Sequence, residues 1–461
     1  MIKKITIFLL SIIFSFILLE ITFQVLPYIY KNLPKINNNI YICVIGESIS
    51  YGHPYQGKIN FAKVVSELVN RKIDGKNVEI VCLAGDGDNL YLQYKKYLVY
   101  KLLHPLRKNI IFGYFGMGYT FPKNNNSKFN LLKFRLLDFL FFKNNFEYEY
   151  EKILNIIKKY GDEIYISTIV GNYSGVMPNN VNSLIKNKNL EMELKNIDYL
   201  ILNGEYNYAI QQTNNLINNY EDKCQILYRI GKIYEKQNKI KEANEVYKKM
   251  IDDKDRRPTI EENNIIKMLA KKYQIELIDI DSDLEKKNEI IGYNYFIDIV
   301  HPTIDFNMLI AQKFVEKLQK KHLIDCYSDY DIREKILYAF SDQDWFIAYR
   351  DALGEILLFS YRKNFFDVYT KEQISKYISK LYELNNKIKE TDVSDKREEI
   401  IHICEVLFEY IQGNKDKTIE LINKYNLKDT ILRRDRKKEK RMQGWWYMKH
   451  WLIDFIFKNK I

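Results

Sequence analysis

Two rhythms of apolar and polar positions alternate along the first third of the chain. Residues 39–45 (NIYICVI) form a short, nearly continuous apolar run rich in β-branched residues, the pattern of a strand buried on both faces. From Phe61 to Arg71 the period changes: Ala62, Val64, Val65, Leu68 and Val69 make one wide apolar face of a helix. The alternation continues, with Val78–Leu83 a second strand, Leu90–Leu103 a helix, Asn109–Phe115 a third strand, Glu163–Val170 a fourth and Ile275–Ile280 a fifth. Short apolar runs separated by helices predict an α/β fold with a five-stranded parallel sheet covered by helices on both faces.

The long gap between the fourth and fifth strands carries an internal echo. GEYNYAIQQTNNLI (Gly204–Ile217) pairs with NKIKEANEVYKKMI (Asn238–Ile251), and Ala209 and Ala243 stand 34 positions apart, the tetratricopeptide period. Gly231, Tyr234 and Tyr247 fit the same alternation of small and large packing residues, so about two helical hairpins are expected to interrupt the α/β core. Such hairpins could dock a protein partner or form a wall beside a site. Ile324–Leu427 reads helical throughout, with a turn at Gly413-Asn414 joining two helices between Glu399 and Tyr425. The expected organisation is 1–30 anchor, 31–38 stalk, 39–180 first part of the core, 181–260 helical insertion, 261–323 second part of the core, and 324–461 an all-α C-terminal region.

Both ends carry membrane-like patterns. Lys3 and Lys4 precede an uncharged run from Ile5 to Leu19, and apolar residues continue past Glu20 and Gln24 to Tyr30. Ile5–Leu26 is long enough to span a bilayer of about 30 Å, and the leading lysines favour a cytoplasmic start. No small-residue cleavage site stands out, so the expectation is an uncleaved single-pass anchor in the cytoplasmic membrane with the rest of the chain outside; a buried core helix is the alternative. At the other end a basic cluster, Arg433–Arg441, precedes Trp445, Trp446 and Trp451 and a short apolar run, which suits either the headgroup interface or a last packed helix.

Composition narrows the classes. The 461 residues are 46% apolar, ample for a core, and the net charge of +11 is spread along the chain rather than gathered on a recognisable nucleic-acid-binding module. The five cysteines, Cys43, Cys82, Cys224, Cys326 and Cys404, have no metal-ligand spacing and no evident disulfide framework; Cys43 and Cys82 read as small core residues of their strands. No metal and no cofactor is expected.

The chemistry gathers at the strand ends. The first strand stops at Gly46-Glu47-Ser48, the second at Ala84-Gly85-Asp86-Gly87-Asp88-Asn89, and the third at Phe115-Gly116-Met117-Gly118. Far downstream, Asp298-Ile-Val-His301-Pro302 precedes a helical run. Open α/β sheets bind ligands at the carboxyl ends of their strands. An acid three residues from a histidine can orient the ring, and an oriented histidine can take a proton from a serine hydroxyl. Of six histidines, only His301 has such an acid in a strand-to-helix loop.

In order and context these segments resemble the SGNH, or GDSL-like, serine hydrolase family. VIGES (Val44–Ser48) is similar to the first family block and makes Ser48 the nucleophile, with Glu47 where aspartate is more common. LAGDGDN is similar to the second, whose glycine donates a backbone N–H to the oxyanion; Gly87 fits, with Gly85 the alternative. DIVHP is similar to the last and gives Asp298 and His301. The resemblance implies an SGNH-type three-layer fold and ester hydrolysis, with Ser48 and Gly87 N–H groups in the oxyanion hole. The family's third block carries an oxyanion asparagine; here Gly118 stands in its place, and Asn124–Asn126 lie farther on in a polar loop. Asn172, at the end of the fourth strand, is a candidate substitute at the substrate. The substrate class implied is an ester of the cell envelope, such as an O-acetylated glycan, and acetyl transfer fits as well as hydrolysis. The competing class is a scaffold that keeps the fold, has weak or no activity, and binds envelope partners through its helical hairpins.

Overall fold

The computed structural model describes residues 25–427 except 35, 56, 58, 86, 116–145, 177–187, 221–222, 252–256, 325–333, 335–340, 362–367 and 389–396, together with Ser11, Phe14, Ser15, Leu18 and Ile21. Most of the expected anchor, Gly118, Asn124–Asn126, Cys326 and the basic, tryptophan-rich C-terminal segment lie outside these residues. Among the described residues no helix is long and apolar enough to cross a membrane.

A six-stranded sheet forms the centre, in the order β2-β3-β1-β4-β5-β6. The central strand β1 (Ile36–Gly46) pairs in parallel with β3 (Lys76–Cys82) on one side and β4 (Arg107–Tyr114) on the other. β5 (Glu163–Ser167) and β6 (Glu276–Ile278) extend the parallel sheet. Ile42, Cys43, Val44 and Ile45 are completely buried, as a run without alternation requires of a strand covered on both faces. β1 starts at Ile36, so residues 36–38 belong to the sheet rather than to the expected stalk.

The expectation of five parallel strands needs correction. β2 (Lys72–Ile73) is a sixth strand, antiparallel to β3 across a two-residue turn. Asp74 (φ 52°) and Gly75 (φ 73°) occupy that turn, both left-handed, and Asp-Gly is the sequence signal for it. A two-residue strand is too short to show a period, which is why apolar patterning passed over it. This edge is thinly covered, and Cys82, expected in the core, is exposed. Cys43, Cys82, Cys224 and Cys404 are all free thiols.

Helices sandwich the sheet. On one face α2 (Phe61–Leu68) packs against α11 (Ile304–Leu318); on the other α3 (Leu90–Leu103), α4 (Phe146–Tyr160) and α9 (Ile260–Tyr273) lie side by side. Between β5 and α9 the chain makes four further helices, α5 (Lys188–Leu202), α6 (Tyr206–Asn219), α7 (Cys224–Lys236) and α8 (Ile240–Lys249). α5, α6 and α7 enclose a core of their own around Leu194, Ile197 and Ile230, whereas Tyr228, Ala243 and Tyr247 join the core of the sheet. The two echoing segments are α6 and α8; Ala209 and Ala243 are fully buried, and Tyr247 lies over Gly231, where a Cβ would meet its ring at 2.3 Å. After the short α10 (Ile280–Lys286) and α11, four C-terminal helices, α12 (Asp342–Tyr361), α13 (Val368–Lys387), α14 (Arg397–Ile411) and α15 (Lys415–Lys424), surround a separate core that includes Leu353, Leu381 and Leu407. Ile297, from the loop between α10 and α11, reaches into that core.

The chain runs from β1 to β3 on one side, then crosses back past β1 to β4. Strand order therefore reverses at β1, and the crevice beyond its carboxyl end is where such a sheet opens to a ligand.

Candidate active site

β1 ends at Gly46 because the chain is too close to β4 there for any side chain. A Cβ on Gly46 would lie 2.3 Å from the Tyr114 carbonyl oxygen. Glu47 stands at the N-cap position without a side-chain capping bond, and Ser48 is the first residue of a one-turn helix, α1 (Ser48–Tyr51). That helix stops at Gly52, left-handed at φ 99°, whose N–H returns to the Ser48 and Ile49 carbonyls. The strand-to-helix corner leaves the Ser48 side chain partly exposed at the end of the central strand.

His301 meets it from a distant loop. Its Nε2 is 2.9 Å from Ser48 Oγ, and its Nδ1 is 2.6 Å from Asp298 Oδ2. With the ring proton on Nδ1, that N–H donates to Asp298 and Nε2 accepts the Ser48 hydroxyl. Asp298 Oδ1 accepts the N–H groups of Val300 (2.9 Å) and His301 (2.8 Å), so the carboxylate organises the loop as well as the ring. Asp298 is fully buried. Burial alone would raise its pKa, but the His301 charge, the His301 ring hydrogen bond and the two backbone N–H groups outweigh it and hold the carboxyl below its usual range. His53 lies over the His301 ring with centroids 4.3 Å apart, a neighbour that sequence spacing did not suggest.

The second expected segment runs beside the first. The Leu83 N–H donates to the Val44 carbonyl (2.9 Å), and Gly85 reaches Gly46 (3.4 Å), so the 84–89 loop flanks the Ser48 corner. Gly87 is left-handed (φ 72°) with open space where a Cβ would stand. A Cβ at Gly85, by contrast, would meet Asp88 and Lys96 at 2.6 Å. Gln93, fully buried on α3, ties the two loops: its Oε1 accepts the Gly46 N–H (3.1 Å) and its Nε2 donates to Asp88 Oδ2 (2.6 Å). No sequence signal marked Gln93, which falls among apolar neighbours in an ordinary helix.

Asn172 departs from expectation. It is fully buried, its Nδ2 donates to the Asp298 carbonyl (2.7 Å), and its Oδ1 accepts the Gly175 N–H (2.8 Å). Each end of the amide bonds backbone and the residue has no exposed surface, so Asn172 holds the Asp298 loop and does not face the Ser48 crevice as an open donor. Arg257, which sequence reasoning missed, extends this support. Its Nη1 donates to the carbonyls of Asn172 (2.9 Å) and Val176 (2.6 Å). The inserted helices join in: Tyr228 donates to the Ser174 carbonyl (3.2 Å), and Asn244 bonds both the Glu289 carbonyl and the Ile291 N–H. Among the described residues, no group of three or more His, Cys, Asp or Glu side chains is placed to hold a metal ion.

No family model matches the chain, and no curated protein does. Among solved structures, a lipase/acylhydrolase from Enterococcus faecalis is similar at 10% identity and a TM-score of 0.34, over 62% of this chain and 100% of that one. An acetyl xylan esterase, AlAXEase, is similar at 13% identity and a TM-score of 0.30, over 60% of this chain and 98% of that one. Similarity at these scores carries no functional weight; the contacts of Ser48, His301 and Asp298 do.

Proposed function

We propose that the chain is a serine esterase of the SGNH type, acting on ester groups, O-acetyl groups of an envelope glycan included, and held at the cytoplasmic membrane by its N-terminal segment with the active site outside. The observation that carries the reaction is the unbroken line of contacts from Asp298 Oδ2 through His301 to Ser48 Oγ, 2.6 and 2.9 Å long. Ser48 Oγ attacks the ester carbonyl as its proton passes to His301 Nε2. The negative charge that develops on the carbonyl oxygen is met by the Ser48 and Gly87 N–H groups. Collapse of the adduct breaks the ester C–O bond, His301 returns the proton to the departing alkoxide, and an acyl group remains on Ser48. Water, or a second hydroxyl in the transfer variant of the reaction, then attacks the acyl group with His301 again as base.

The test pairs a covalent probe with turnover. A fluorophosphonate labels Ser48 in the wild type and not in Ser48→Ala, and p-nitrophenyl acetate is hydrolysed by the first alone. Equal rates for the two proteins would leave the fold as a non-catalytic scaffold.

A further inference from the structure

The structure assigns a second binding feature to the surface beside the Asp298–His301 loop. We propose that a groove between that loop and the C-terminal helices binds a neutral glycan chain, with sugar rings stacked on aromatic side chains. A cavity of about 490 Å³ lies between the 293–305 segment and helices α12 and α13. Its walls carry Tyr55, Tyr293, Phe296, Trp345, Tyr349 and Tyr377. Two pairs of these rings stand nearly perpendicular, while Trp345 and Tyr349 are tilted by 39°. Trp345 is edge-on to Tyr55 (6.1 Å, 86°), and Tyr349 is edge-on to Tyr377 (5.3 Å, 87°). Tyr55, Phe296 and Tyr377 are buried and form the floor, whereas Tyr293, Trp345 and Tyr349 are partly exposed. Edge-to-face packing on the buried rings fixes the planes of Trp345 and Tyr349 without a ligand, so their exposed surface is preorganised to receive the C–H faces of a pyranose.

The polar groups argue against other occupants. The Tyr55 hydroxyl donates to the Pro302 carbonyl (3.0 Å) and the Tyr377 hydroxyl to the Ile297 carbonyl. Their polar tips are thus spent on protein, and the two buried rings brace the floor under the partly exposed Trp345 and Tyr349. The rim holds Lys376, Lys380, Asp305 and Glu383, two charges of each sign, with Lys380 already on Glu383 (2.7 Å). No excess of one sign is present to recruit a polyanion or polycation. A purely aliphatic chain would leave that polar rim unused, whereas hydroxyls would use it.

The length of the groove favours a polymer. A second, more polar hollow of about 650 Å³ runs between α7, the 288–294 loop and α13. Tyr293 and Gln373 line both, so the two hollows adjoin. The groove is therefore built jointly by the inserted helices, the core and the C-terminal helices. Neither hollow is lined by Ser48 or His301. Contact with the active site is made through the loop instead: Ile297 and Pro302, whose carbonyls Tyr377 and Tyr55 hold, directly bracket Asp298–His301. The assignment rests on the esterase reading only for what the bound chain is presented to; the binding itself does not.

The experiment measures binding without turnover. Full-length Ser48→Ala protein is titrated by calorimetry with cello-, xylo- and chito-oligosaccharides. Saturable binding is expected, and Trp345→Ala weakens it by about tenfold while Trp345→Phe retains most of it. Gln373→Ala, at the junction of the two hollows, weakens long oligosaccharides more than disaccharides; because Gln373 also bonds the buried Tyr377, an unchanged urea midpoint is required of the variant. Absence of saturable binding to every glycan, or affinities unchanged in both Trp345→Ala and Gln373→Ala, would overturn the proposal. Binding to lipid vesicles that is lost with Trp345→Ala, in place of glycan binding, would assign the groove to lipid and overturn it equally. Glycan binding in a protein whose wild type hydrolyses no ester removes the esterase reading and keeps the groove. Hydrolysis of p-nitrophenyl acetate without glycan binding does the reverse.

Discussion

His301 and His322 are built from the same parts at opposite ends of the sheet. At the carboxyl end, His301 has one nitrogen on Asp298 and the other on a serine hydroxyl. At the amino end, His322 has Nδ1 on Asp74 (2.8 Å) and Nε2 on Glu163 (3.0 Å). Both rings are nearly closed off from solvent, their side chains 6% exposed. The difference is symmetry. With a carboxylate on each ring nitrogen and no hydroxyl beside either, His322 is a clamp between the Asp74-Gly75 hairpin and the start of β5. One carboxylate and one hydroxyl leave His301 a basic nitrogen beside an exchangeable proton. A buried His–acid pair is thus no sign of catalysis until the second nitrogen is accounted for.

Breaking each end separately sharpens this contrast. The largest effect after loss of Ser48 is expected from Asp298→Asn, which keeps the shape of the side chain and stabilises the wrong His301 tautomer. Turnover of p-nitrophenyl acetate falls about 10⁴-fold; a fall below tenfold would mean that Asp298 does not orient the ring. Next is Asn172→Ala, which frees the Asp298 carbonyl from its 2.7 Å bond. A displaced loop costs about tenfold to a hundredfold in kcat with KM little changed, and leaving buried groups unpaired costs about 1–3 kcal/mol in urea unfolding. His322→Ala is the mirror image. Stability drops by about 1–3 kcal/mol for two bonds to charged groups, while kcat stays within about twofold. Activity lost along with His322 at constant folding would contradict its assignment as a clamp.

The smallest effect is a pH dependence. Burial pushes the Asp74 carboxyl up, but the His322 hydrogen bond, the Leu323 N–H and the nearby charges of His322 and Lys108 bring it below its ordinary value. A lowered folded-state pKa means stability that is present above the unfolded value, near 4, and lost as pH falls through the lowered one. The stability gap between wild type and Asp74→Asn is therefore expected to be full at neutral pH and to close under acid. A gap that widened on acidification would reverse the sign and the argument.

What the sequence disclosed follows the range of the interactions. Strand runs and the Leu90–Leu103 helix are local patterns, and they appear within a few residues of their expected limits. Ser48, Asp298 and His301 were legible because each sits at the end of a patterned element, and the structure brings all three together. The His322 clamp was not, since its acids lie 248 and 159 positions away in sequence. Arg257 and Gln93 were hidden for the same reason: each supports the site by binding backbone carbonyls or amides of distant loops, which no residue type advertises. Asn172 was noticed but misassigned, because a turn asparagine at a strand end looks the same whether it faces a ligand or the next loop.

Ser48 and His301 are 253 positions apart, with the inserted helices between them. Contacts of such separation form late, because long loops must close before they are rewarded. On a ribosome adding about 5–20 residues per second, roughly 10 to 50 s pass between the appearance of Ser48 and that of His301. Throughout that interval Ser48 is an ordinary alcohol at the end of a nascent strand. The Ser48–His301 contact is then one the chain acquires only once nearly the whole sheet has been made, so an incomplete or prematurely halted chain carries the serine without the histidine proposed to activate it.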